Sequence, residues 1–258
     1  NFGPVLKEGL YSEHGGDRDQ LLKLARFRSS NGDGLVSLAD YVGRMQDGQD
    51  TIFYITGEDA AALLESPQLE GFRAKGVEVL LLTDPIDEFW IPAVVEYEGH
   101  KFKSVTRGGT DLAKVKGAEK SDADKKAEAD SKDDVGSLVA LMKLALKDEV
   151  KDVRASERLT DSAVCLVADE GDMDMHLERL LRQHKQLDNS FKRILEVNPA
   201  HPVIRKLAAH VAQKGGEASI DDAALLLLDQ ARILEGEPLR DARGFATRMS
   251  AFLEKGLA

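Results

Sequence analysis

Eighteen consecutive residues, "GAEKSDADKKAEADSKDD" at 117–134, hold 11 charged side chains and no Val, Leu, Ile or aromatic residue. Such a stretch buries too little apolar surface to offset the entropy of ordering it. It predicts a solvated linker or a highly charged helix start, and so a domain boundary. Residues 1–116 and 135–258 must then each build a core. The means are present: 42% of the 258 residues are hydrophobic and 31% charged, a globular composition with a heavily charged surface.

The net charge of −11 argues against nucleic acid or anionic membrane as a partner. No apolar run approaches the roughly 20 residues of a membrane span. A single cysteine, Cys165, excludes an intrachain disulfide. With no signal peptide, it points to a reducing, cytoplasmic setting. The chain begins "NFGPVLKEG" without Met, which predicts a piece of something longer.

Before the break the pattern is mixed. "RDQLLKLARF" and "SLADYVGRMQ" read as helices, "DTIFYITG" as a strand, and "TGEDAAALLESPQLEGFRAKG" as two short helices ending at Gly76. "VEVLLLTD" is a continuous apolar run between turns, the mark of a strand buried on both faces. Strand, helical crossover and strand make a βαβ unit. A turn at Glu98-Gly99 and a strand at 102–105 follow. After the break, "VGSLVALMKLALKDEV" is a helix, "VKDVRASERL" and "SAVCLVAD" look like a strand pair, and "DMDMHLERLLRQHK" is an amphipathic helix. A strand, a turn and a helix come next. Ser219 and Asp222 resemble a capping box opening the tail, where Gly236 and Pro238 separate two last helices. The predicted class is α/β (α+β overall): a small α/β/α subdomain, then a mixed domain with a short sheet and a helical hairpin.

Chemistry is sparse. There is no phosphate loop, no GxGxxG after a strand, no HExxH and no CxxC. Cys165 in "SAVCLVA" reads as a buried thiol. Asp169, Glu170, Asp172 and Asp174 suit a helix N-terminus, where acidic residues complement the macrodipole. "SSNGDGLVSLAD" at 29–40 has the offsets of a calcium loop. It lacks a carboxylate at its first position and a Glu at its twelfth, and Ser37 with Asp40 also makes a helix cap. A calcium-regulated binding protein is therefore the alternative reading. An enzyme using Asp84 and Asp87 as a carboxylate pair ranks last.

Three apolar features carry more. Met173, Leu177, Leu180 and Leu181 are spaced i, i+4, i+7, i+8, with Met175 beside them: either a core-facing stripe or an adaptable surface. "DEFWIP" holds Phe89 and Trp90, the only Trp, next to Asp87 and Glu88: either core or a binding anchor. In the tail, Phe245, Met249, Phe252 and Leu253 form one stripe. With Leu225, Leu226 and Leu228 it gives a hairpin more apolar surface than it can hide, which predicts a symmetric dimer.

Together "GPVLKEGLY", "LLKLARFRSS", "SLADYVGRMQDGQDTIFYITG", "SPQLEGFRAKGVEVLLLTDPIDE", "VKDVRASERLTDSAVCLVAD", "ILEVNPAHPVIRKL" and "LLLDQARILEG" resemble, in order, the heat-shock protein 90 chaperone family of bacterial HtpG type. The resemblance implies a stress-response chaperone fragment. Residues 1–116 would be the end of the middle domain and 135–258 the C-terminal dimerisation domain, joined through 117–134. The partners implied are a second copy and unfolded or partly folded client proteins. Met173, Met175, Leu177, Leu180 and Leu181 match the family's client-contacting helix, and Glu88, Phe89 and Trp90 a second client contact. Leu225, Leu226, Leu228, Phe245, Met249, Phe252 and Leu253 fall in the dimer hairpin. The family's ATP-binding domain and γ-phosphate arginine would lie before Asn1. The chain is thus expected not to be an enzyme and to carry no cofactor, while ATP and magnesium belong to the full-length parent.

Overall fold

A computed structural model describes residues 3–12, 17–108, 112–115, 132–187, 191–214 and 217–257. The elements run α1 (Gly3–Tyr11), α2 (Arg18–Leu24), β1 (Arg28–Ser29), α3 (Leu38–Gly43), β2 (Thr51–Thr56), α4 (Ala60–Leu64), α5 (Glu70–Ala74), β3 (Leu80–Leu82), α6 (Asp87–Ala93), β4 (Glu96–Tyr97) and β5 (His100–Ser104). They continue with α7 (Lys132–Ala145), β6 (Asp152–Ala155), β7 (Val164–Val167), α8 (Met175–Gln183), β8 (Ile194–Val197), α9 (Pro202–Lys214), α10 (Glu217–Leu234) and α11 (Ala242–Leu257). Both expected classes of element are present and the α/β reading holds.

The chain divides into two compact units, Asn1–Ala118 with Glu170–Ser190, and Glu119–Asp169 with Phe191–Ala258. Residues 170–190, inside the run 135–258 by sequence, thus group with the first unit. The predicted linker lies outside the described residues except for 132–134, which open α7.

The first unit is a five-stranded sheet in the order β1-β3-β2-β5-β4. β2 runs parallel to β3 and β5, while β1 and β4 are antiparallel edges. Alternate residues face opposite sides, as strand geometry requires. Ile52, Tyr54, Leu80 and Leu82 pack with Leu10, Phe27, Leu38 and Trp90. Phe53, Ile55, Val79 and Leu81 pack with Leu69, Phe72 and Val105 on the other side. This is the three-layer arrangement that the two-faced apolar run "VEVLLL" demands. Local chemistry sets the ends. The Ser37 hydroxyl accepts from the Asp40 N–H at 3.0 Å, and the Asp40 carboxylate accepts from the Ser37 N–H at 3.1 Å, closing a capping box on α3. Glu98 and Gly99, at φ 50° and 83°, make the tight turn between β4 and β5.

The second unit has a three-stranded sheet, β6-β8-β7. The expected pairing of the β6 and β7 segments is corrected. β8 inserts between them, parallel to β6 and antiparallel to β7, so each takes its hydrogen bonds from a strand later in sequence. Leu138, Met142 and Leu146, four residues apart, turn one side of the α7 segment into the core. Ser219 and Asp222 fall inside α10, which begins at Glu217, and do not open it.

Candidate functional site

In the first unit, α6 and α8 carry the residues of interest. Trp90 is fully buried. Its ring lies 5.7 Å from Phe27 and 5.6 Å from Phe102, and its indole N–H donates to Asp87 Oδ1 at 2.6 Å. The expectation that Trp90 contacts a client is corrected, because the core has used its whole surface. Asp87 also accepts from Lys7, which bridges to Asp84 at 2.7 Å. Burial pushes the Asp87 carboxyl above the ordinary range, against the pull of Lys7. The Asp84–Asp87 pair is thus a structural ion cluster tying α1 to α6. Phe89 points outward, 40% exposed, with its ring edge-on to Tyr11 at 6.0 Å, and Tyr11 is itself 54% exposed. Sequence reasoning misses Tyr11. Its only signal is an aromatic ending the amphipathic run "VLKEGLY".

Glu88 is buried too. His176 Nδ1 of α8 lies 2.6 Å from its Oε1. Burial raises the Glu88 carboxyl, the contact with His176 opposing it. Asp174 caps α8, accepting from the His176 N–H at 3.0 Å. Its buried carboxylate also accepts from the hydroxyls of Thr56 (3.2 Å), Thr106 (2.8 Å) and Ser104. Met175 is buried, with Gln68 Nε2 3.8 Å from its sulfur, so it too is corrected as an exposed contact. Met173, Leu177, Leu180 and Leu181 are half-buried.

In the second unit, α10 buries Ile220, Ala223, Ala224, Leu227, Leu228 and Ala231. Leu228 is therefore core and not interface, while Leu225 and Leu226 are half-buried. α11 buries nothing. Phe245 is half-buried, and Met249, Phe252 and Leu253 are exposed. Ile233, Leu234 and Leu257, which sequence reasoning passes over, extend the exposed set. Arg248 of α11 donates to Asp229 of α10 at 3.2 Å, while Arg232 donates to Asp229 within α10 at 3.2 Å and to Glu149, beyond the end of α7, at 2.6 Å.

The calcium reading of 29–40 finds no support. The Asp40 carboxylate serves the α3 cap, and the buried Ser29 hydroxyl accepts from the Asn31 N–H. Among the described residues no three His, Cys, Asp or Glu side chains converge as a metal ion needs. Asp169 and Glu170 bind Lys151 and Lys103. A cleft of about 480 Å³ by Phe72 and Val77 is rimmed by Arg44, whose guanidinium is held in a bidentate pair by Glu78. No helix among the described residues is long and apolar enough to cross a membrane.

Comparison with known proteins supplies the context. The model of the family described as "Hsp90 protein" matches residues 1–258. A "Chaperone protein HtpG" of Paramagnetospirillum magneticum is 59% identical over 99% of this chain and 41% of its own length. The protein of the same name from Roseobacter denitrificans is 51% identical over 100% and 41%, and that from Ehrlichia canis 44% over 99% and 41%. The chain thus spans about two fifths of the length of these relatives. The expectation that it is not an enzyme is corrected by the match to the Hsp90 family, which runs through every residue of the chain. With the family model matched from the first residue to the last, the chain belongs to the Hsp90 family.

Proposed function

We propose that the chain is the end of the middle domain and the C-terminal dimerisation domain of a cytoplasmic chaperone of the HtpG kind, and that it holds non-native protein as a homodimer. The observation that carries this is α11: a sixteen-residue helix with no buried residue that displays Met249, Phe252 and Leu253. Soluble monomers rarely expose contiguous apolar surface of this kind. A two-fold partner would cover it by packing its own α10–α11 hairpin against the first. A stable interface of that type buries about 1,600 Å² in total. Phe89 with Tyr11, and the leucines of α8, supply scattered apolar contacts for unfolded segments. Two copies in one dimer raise the effective concentration of such weak contacts. In the whole protein, ATP with magnesium would drive the cycle.

Light scattering tests the dimer, with an expected mass of twice 28.2 kDa. A strictly monomeric chain at micromolar concentration would sink it. Phe245→Asp with Phe252→Asp should yield the monomer. Leu177→Asn with Leu181→Asn should weaken binding of an unfolded polypeptide while leaving dimer and melt unchanged, and a large loss of stability would show that stripe to be core.

A further inference from the structure

α8 is seated by polar groups, not by its apolar stripe. At about 100° per residue, Met175 and Glu178 lie about 60° apart, and Leu177, Leu180 and Leu181 occupy about 100° of arc centred about 140° away. Met175 and Glu178 are the buried residues of the helix, and the leucines are left half-exposed. What meets the sheet is Asp174. One carboxylate gathers Thr56 from the end of β2, Ser104 from the end of β5, Thr106 just beyond it, and the His176 N–H of its own helix. A second polar contact, His176 to Glu88, joins α8 to α6 at 2.6 Å. Lys103 to Glu170, at 3.5 Å, ties down the approach to the helix.

We propose that Asp174 and its three hydroxyl donors form a latch that positions α8 on the sheet so that Leu177, Leu180 and Leu181 are presented as a preorganised ridge to an extended apolar polypeptide. The proposal rests on the chaperone reading above. Nine residues are too few to stay helical alone in water. The ridge therefore exists as a ridge only while the helix is seated. A seat made of one carboxylate and three hydroxyls is cooperative: without the hydroxyls the buried carboxylate loses its partners on the sheet, and without the carboxylate Ser104 and Thr106 are left to bond each other at 2.9 Å. It is also local, which makes α8 a unit able to open without the rest of the sheet. Asp174 is a positioning residue in this scheme and touches no client.

The test combines hydrogen exchange of the 176–183 amides with binding of reduced, carboxymethylated α-lactalbumin, both on the 258-residue chain. Asp174→Ala should speed exchange at those amides about 10-fold or more, while β2 and β3 stay protected. It should weaken polypeptide binding about 5-fold or more, since the ridge is no longer preorganised. Asp174→Asn keeps one acceptor oxygen for the cap N–H and Thr56 and turns an N–H toward Ser104 and Thr106, whose hydroxyl oxygens can accept it, and should restore most of both. Thr56→Val with Ser104→Ala and Thr106→Val removes all three sheet-side donors at nearly constant shape and should reproduce Asp174→Ala. If Asp174→Ala unfolds the unit, this triple variant decides by the same two criteria. Unchanged exchange in 176–183 overturns the latch. Faster exchange with unchanged or tighter polypeptide binding overturns its role in presentation. Unchanged binding by Leu177→Asn with Leu181→Asn shows that the chaperone reading of the ridge has failed, and presentation fails with it, even where exchange shows a latch.

Discussion

Phe89 and Trp90 are neighbours on α6, about 100° apart around its axis, and that angle separates a core residue from a surface one. Trp90 reaches Phe27 and Phe102 and satisfies its N–H on Asp87. Phe89 meets only the rim, beside Tyr11. Trp90→Ala should therefore cost about 3–5 kcal/mol in urea unfolding, through the cavity it leaves. Phe89→Ala should cost under about 1 kcal/mol, and equal losses would refute the assignment. Arg232 shows the same dependence on surroundings in the second unit. It is buried against Asp229 and Glu149, so Arg232→Met should cost about 1–3 kcal/mol, since Asp229 keeps only Arg248 and Glu149 loses its shortest partner. "DEFW" alone offers two aromatics and no rule for choosing between them. Phe27 and Phe102, distant in sequence, make the choice.

Elements divide by how they are held. α7 is seated by Leu138 and Met142, and its Lys143 bonds Asp152 at the start of β6 at 2.6 Å. That hydrogen bond, ahead of the desolvation that opposes it, holds the Asp152 carboxyl below its ordinary 3.8. A carboxyl depressed in the fold adds stability that is full above pH 3.8 and is lost as pH falls through the depressed value. Glu149 acts alike. Burial raises its carboxyl, but Arg232 and Arg240 outweigh this and lower it on balance. Acid titration followed by circular dichroism should show the second unit losing stability below about pH 4, and Lys143→Met should move that midpoint upward. An unshifted midpoint would remove the pair from the account. At this scale the helices, the Ser37–Asp40 cap and the Glu98–Gly99 turn are legible in sequence because each is decided within a few residues. The order β6-β8-β7 is not, since β8 lies 27 residues beyond the end of β7.

For the whole molecule, stability should depend on concentration. If α11 is covered by a second copy, the melting temperature rises with protein concentration, and Phe245→Asp with Phe252→Asp abolishes that dependence. Because α11 buries nothing within one chain, this double variant should leave the circular dichroism of both units nearly unchanged. A concentration-independent melt in the parent chain would contradict the interface. The sequence by itself determined that there are two cores, that the β3 segment is buried on both faces, that the last helix carries an apolar stripe, and which family the ordered segments resemble. These follow from composition and from periods of two and 3.6 residues, which are local properties of the chain. Only the tertiary structure decided that residues 170–190 join the first unit, that Met175, Trp90 and Leu228 are core, and that Asp174 is encircled by hydroxyls. Each of those outcomes depends on groups brought together from tens of residues away, and local periodicity carries no record of which surfaces will meet.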